Sequence, residues 1–181
     1  IGFEKLIRKD QKVLETVIAY NSLLIRYEFM HNYSLHYKYH DSFAKAVEKL
    51  KQIYQQKQNV KKQESKLWQI PVCYDVAFGL DLVAISEEKE CSIEDIIDLH
   101  IHPNYLIYFL GFQPGFLYLG GLNPLIHIPR KASPRLRVEK GSVGIGGEQT
   151  GIYPQDSAGG WNLIGKSPID FFNIQKPQPC F

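Results

Sequence analysis

A chain of 181 residues with 44% hydrophobic and 22% charged side chains has enough apolar surface for one large core or two small ones, which excludes a wholly disordered chain. Its formal net charge of +2 is too small for a nucleic-acid footprint or a basic membrane-docking face, so any basic site has to be local. Cys73, Cys91 and Cys180 are odd in number, far apart and in no C-x-x-C arrangement, which argues against a disulfide framework or a zinc site and fits a reducing cytoplasm.

No apolar run approaches the roughly 20 residues of a membrane span, and no basic-then-apolar leader opens the chain, so a soluble, cytoplasmic protein is expected. The first residue is Ile1 and the only methionine is Met30, which suggests a start inside a longer reading frame.

From Lys12 to Phe29, residues of high strand propensity broken at Asn21-Ser22 predict a hairpin. Ser42 to Tyr54 places Phe43, Ala46, Val47, Leu50 and Tyr54 on one helical face, with Asp41 or Ser42 as the cap. His36 and His40 are four apart, but their surroundings alternate like a strand and offer no third ligand, so no metal site is expected.

Gln55 to Lys66 is polar and aperiodic, the best linker, and sets the expected domains at 1–62 and 63–181. Leu67 to Tyr74 reads as a strand that Pro71 confines to an edge or a bulge. Ser92 to Asp95 has the form of a capping box, opening a short helix through Ile96, Ile97, Leu99 and His100 that Pro103 helps to end. Asn104 to Phe112 predicts an aromatic strand, and from there to Trp161 glycine and proline punctuate short apolar runs, as in a β-barrel or sandwich.

Gly111, Pro114, Gly115, Gly120 and Gly121 can hold Phe112, Phe116 and Tyr118 rigidly, either as the aromatic wall of a small-ligand pocket or as ordinary core. Arg130, Lys131, Arg135 and Arg137 fall within eight positions; Arg135 and Arg137, two apart, are expected on one strand face. Such a cluster binds carboxylate or phosphate, or else is a solvated basic face. The glycine-rich run 141–151 lacks the order of a Walker loop and reads as a hairpin displaying Gln149, Thr150 and Tyr153.

Four segments carry a resemblance: Gly111 to Leu122, Pro129 to Val138, Gly141 to Pro154, and Gly159-Gly160-Trp161. Together they resemble the family of the B-type subunit of 5-oxoprolinase, which also takes in a sporulation histidine-kinase inhibitor and allophanate hydrolase subunit 1. The resemblance implies an α+β chain: a small N-terminal α/β sandwich domain followed by a cyclophilin-like β-barrel of carboxyltransferase type. It also implies one more strand before position 1 and a closing strand after the last residue. Departures from the family pattern, at Leu117, Ala158 and Glu139-Lys140, are expected in turns.

By the same resemblance the chain works with the C- and A-type subunits of 5-oxoprolinase, opening 5-oxoproline to glutamate as ATP is hydrolysed, with no metal beyond ATP-associated Mg. His100, matching a family histidine, is the candidate general acid or base, and Arg135 the second catalytic candidate. Arg130, Arg137, Gln149, Tyr153, Phe116 and Tyr118 are candidates for holding substrate or nucleotide. The alternative within the family is an inhibitor that binds a sensor histidine kinase. The sequence has no Ser-His-Asp order, nucleophile elbow or paired-carboxylate motif, so a shared active site, inactive in this chain alone, is expected.

Overall fold

Two compact units, residues 1–67 and 68–181, make up the computed structural model, which describes residues 2–19, 22–28, 36–55, 66–178 and 180. The expected linker lies, from 56 to 65, outside the described residues. None of the described helices is long and apolar enough to cross a membrane.

The first unit contains α1 (Gly2–Ile7), β1 (Val13–Ile18), β2 (Leu23–Tyr27) and α2 (His36–Gln55). β1 and β2 form the antiparallel hairpin that strand propensity predicts, with Thr16 opposite Ile25 and Val17 opposite Leu24. Asp10 pins it: its carboxylate accepts from the Tyr27 hydroxyl and pairs with Lys49 of α2 at 2.7 Å. Burial alone would raise the Asp10 pKa, but these hydrogen bonds to the ionised form bring it to about 2.

α2 begins at His36, so neither Asp41 nor Ser42 caps it, and the strand-like reading around His36 and His40 gives way to helix. No glycine or proline interrupts residues 36–55, and once nucleated a helix extends at little cost. Of the expected apolar face, Ala46 is buried while Phe43 and Tyr54 are exposed.

The second unit opens irregularly. The predicted strand at 67–74 is replaced by a single antiparallel bridge, Cys73 with Lys166, because Pro71 removes a ladder donor just before it. Two helices follow, α3 (Leu82–Lys89) and α4 (Ile93–Ile101). The Ser92 capping box forms as read: Asp95 N–H donates to Ser92 Oγ and Ser92 N–H to Asp95 Oδ2, both at 3.1 Å. α3 escapes the sequence because it is short, and Asp81, which precedes it, makes no side-chain cap bond.

β3 (Leu106–Leu110), β4 (Leu117–Gly120), β6 (Ser142–Gly146), β7 (Gln149–Ile152) and β9 (Asn162–Lys166) build an antiparallel sheet of order β3-β4-β7-β6-β9; β5 (Arg135–Val138) pairs with β8 (Ser157–Gly159) separately. Among the described residues β3 and β9 do not pair, so the sheet is open where a closed cyclophilin-like barrel was expected. The family-pattern departures are also corrected: Leu117 is buried in β4 and Ala158 lies in β8, and only Glu139-Lys140 is in a turn.

The register gives the sheet two unlike faces. Leu117, Leu119, Val143, Ile145, Thr150 and Ile152 are in register on one face, and all but Thr150 join the main core with Leu82, Ile85, Ile96 and Ile164. Tyr118, Gly120, Gly144, Gly146, Gln149 and Gly151 share the other.

Candidate functional site

The glycine-rich face is a seat for Trp161. A Cβ added at Gly146 would stand 2.8 Å from the indole ring, at Gly151 2.9 Å, and at Gly144 3.1 Å from the Trp161 Cβ. Gly144, Gly146 and Gly151 thus make room for a large aromatic, and all three lie in the β6–β7 register.

Around Trp161 the aromatic side chains pack as a second core cluster, with Phe116, Val138, Tyr153, Trp161 and Leu163 buried and Tyr118 partly buried against them. Phe116 meets Trp161 edge-on at 5.6 Å between ring centroids and Tyr153 at 5.1 Å; Tyr118 meets Trp161 at 5.8 Å and stacks on Phe109 at 4.2 Å. Such pairs add about 0.5–1.5 kcal/mol each beyond area burial. The exposed Phe112 lies edge-on to Phe116 and Tyr153, at a backbone φ of 63° that bulky side chains rarely adopt.

Arg130 stands over Trp161, its guanidinium carbon 5.5 Å from the ring centroid. Both of its neighbours are tied to the same segment: Asn162 Nδ2 donates to the Pro129 carbonyl at 2.8 Å, and Lys131 N–H to the Gly160 carbonyl at 2.7 Å. Arg130 and Arg135 both lie near enough to draw the Tyr153 pKa down, although burial dominates and leaves it raised.

Arg135 is held by Asp81. Asp81 Oδ1 accepts from Arg135 Nη2 at 2.8 Å and Lys131 Nζ at 2.9 Å, and Oδ2 from Leu163 N–H at 2.7 Å. Burial raises the Asp81 pKa, but these donors outweigh it and leave it lowered. Arg137 diverges: a register irregularity interrupts the β5–β8 pairing between Arg135 and Val138, and Arg137 turns to the exposed Asp156 at 2.9 Å. The expected shared face for Arg135 and Arg137 is therefore lost.

Among the described residues, the buried side-chain polar atoms without a hydrogen-bond partner are Gln113 Oε1, Arg135 Nη1, Gln149 Nε2 and Ser157 Oγ. Two belong to predicted site residues, and both are donors. Gln149, with Thr150 and Tyr153, is buried where display at the surface was expected, because the hairpin lies inside the sheet between β4 and β9.

His100 lies elsewhere. Its Nε2 is 2.9 Å from Thr150 Oγ1 and its Nδ1 2.8 Å from the Tyr74 hydroxyl, while Thr150 donates onward to the Gly144 carbonyl at 3.1 Å. Thr150 has one proton to give, so it accepts from Nε2–H, and Nδ1 accepts from Tyr74. The ring is 5% exposed, and burial lowers its pKa to about 4, which makes it a neutral imidazole at pH 7. The candidate general acid or base thus has both nitrogens engaged, and its Thr150 partner belongs to the face opposite Tyr118 and Gln149.

Sequence reasoning passed over Asp81 and Asn162; an aspartate just before a helix reads as a cap, and nothing local announces its tertiary partners. No group of His, Cys, Asp and Glu among the described residues is arranged to hold a metal ion.

The model of the carboxyltransferase domain, subdomains C and D, matches residues 3–181. The chain belongs to that family. It is similar to the B-type subunit of 5-oxoprolinase from Bacillus subtilis (strain 168), 47% identical over 114 residues that cover 63% of this chain and 48% of that one. To the B-type subunit of 5-oxoprolinase from Haemophilus influenzae it is 37% identical over 178 residues, 98% of this chain and 78% of that one. The crystal structure of a conserved uncharacterized protein from Pyrococcus horikoshii superposes with a TM-score of 0.62 at 38% identity, covering 99% of this chain and 79% of that one. The match thus spans about half the length of the Bacillus subtilis relative.

Proposed function

We propose that this chain is part of a B-type 5-oxoprolinase subunit, which with partner subunits of the C and A types opens the lactam of 5-oxoproline to glutamate at the expense of ATP. The relatives' names support the substrate. Two donors carry the reading: among the described residues, Arg135 Nη1 and Gln149 Nε2 are buried without hydrogen-bond partners. A buried donor left unpaired costs about 1–3 kcal/mol, a cost that an oxygen-rich ligand removes on binding.

In this reading Arg135 receives the 5-oxoproline carboxylate, Gln149 donates to an oxygen of the ligand, and Phe116, Tyr118 and Trp161 flank the ring. ATP supplies activation of the inert lactam carbonyl. Nucleotide binding is assigned to no residue here, and no proton transfer is assigned to His100.

The test is glutamate release from 5-oxoproline and ATP by the full-length protein mixed with the C- and A-type subunits of the same organism, against mixtures lacking each in turn. Release that needs all three supports the reading. No release from any mixture of folded proteins contradicts it.

One observation favours a second, protein-binding role. Edge strand β3 exposes Leu106, Ile107, Tyr108 and Leu110 without a charged residue among them, and an apolar edge of this kind invites a partner strand. A sensor histidine kinase is the partner this reading names. Capture of the kinase by the wild type but not by Ile107→Lys would support it, and equal capture by both would not.

A further inference from the structure

Arg135, a partly buried arginine, is held through one nitrogen of its guanidinium. A guanidinium facing a carboxylate ordinarily uses two parallel N–H bonds, one to each oxygen. Here only Oδ1 of Asp81 meets the guanidinium; Oδ2 accepts from the Leu163 N–H at 2.7 Å while the Asp81 N–H donates to the Leu163 carbonyl at 2.9 Å. That two-point clamp fixes the residue before α3 to β9, two residues beyond Trp161. Oδ1 is left to serve Arg135 Nη2 and Lys131 Nζ together. Arg135 is therefore bound through one prong, and Nη1 is buried without a hydrogen-bond partner among the described residues.

We propose that Asp81 is a positioning residue for the substrate site: by accepting only one prong of Arg135 it fixes the guanidinium plane and leaves Nη1 free for one oxygen of a carboxylate ligand. The single negative charge of Asp81 faces two cations, Lys131 and Arg135, so one positive charge remains uncompensated for the ligand. This rests on the reading of the aromatic, glycine-floored face as the 5-oxoproline site. Asp81 touches no ligand in this scheme; it acts through Arg135.

The experiment compares full-length wild type, Asp81→Asn, Arg135→Lys and the double variant. Asparagine keeps an oxygen for the Leu163 N–H but no anion for Lys131 and Arg135. Lysine keeps a charge but has no second prong. Calorimetric titration with 5-oxoproline, and separately with acetate as a bare carboxylate, gives each Kd; the assembled enzyme gives kcat and KM.

Each single variant is expected to raise Kd and KM at least tenfold with kcat within threefold, and the double variant to be no worse than Arg135→Lys, since both changes remove one interaction. An unchanged Kd in Asp81→Asn overturns the proposal, as does a double variant whose loss is the product of the two. If Asp81→Asn does not fold, side-chain NMR of wild-type Arg135 decides: saturating 5-oxoproline or acetate should shift the Nη1 resonance and spare Nη2, and equal shifts or none overturn the idea. Loss of acetate binding in Asp81→Asn, alongside no glutamate release from any wild-type mixture, would leave the positioning role standing while the 5-oxoprolinase reading fell.

Discussion

Gly146 and Trp161 are matched: a Cβ on the glycine would stand 2.8 Å from Cδ2, Cε2 and Nε1 of the indole, so the ring lies flush on the strand backbone. Gly146→Ala should therefore push Trp161 out of its seat, costing about 1–3 kcal/mol as overpacking does. Chemical denaturation measures the loss. The ring current and fluorescence of Trp161 should change with it, and a variant as stable as wild type with an unmoved indole would show the seat to be slack.

His100 makes stability depend on acid. Its folded pKa, about 4, lies below its ordinary value of 6.5, so the unfolded chain binds the proton more readily between those values. Its contribution is complete above pH 6.5, falls as pH drops toward 4 and levels off below, a loss on the order of 3 kcal/mol. Asp81 and Asp10, with pKa values held below their ordinary 3.8, bring their own losses at lower pH. Unfolding free energies across pH 4.5–6.5 should slope in the wild type and flatten in His100→Gln; parallel slopes would remove His100 from the explanation.

Thr150→Val keeps the shape but removes the oxygen that His100 Nε2–H meets. The buried N–H then lacks its partner at a cost of about 1–3 kcal/mol. Thermal melts of the purified variant check this, and a melting point equal to wild type would mean that another acceptor reaches the imidazole.

In the first unit, Asp10→Ala releases both Tyr27 and Lys49. A loss of about 1–3 kcal/mol is expected, confined to residues 1–67. Hydrogen exchange resolves it by unit: β1, β2 and α2 should lose protection while β6 and β7 keep theirs.

Local chemistry was legible in the sequence, and long-range chemistry was not. The Ser92 capping box and the β1–β2 hairpin rest on neighbours a few residues apart, and both formed. The four glycine- and arginine-bearing segments pointed to one family and to an aromatic cluster because each carries its own turn and strand pattern. Asp81 meets Lys131, Arg135 and Leu163, 50, 54 and 82 residues away, distances at which spacing carries no signal. The same limit hid the surroundings of Arg137, whose own strand β5 carries the register irregularity against β8, and of His100, whose ring nitrogens meet Tyr74 and Thr150. Helix α2 overran its expected cap because a cap residue can sit inside a helix when nothing upstream breaks it.

In the proposed function the substrate is handled at Arg135 and not at His100. Glutamate release by the assembled enzyme, with Arg135→Ala and His100→Gln in folded full-length protein, tests it directly. The expected kcat/KM is at least tenfold lower for Arg135→Ala, about 1.4 kcal/mol or more, and within twofold of wild type for His100→Gln. A wild-type rate for Arg135→Ala, or abolished turnover in a stably folded His100→Gln, would contradict it.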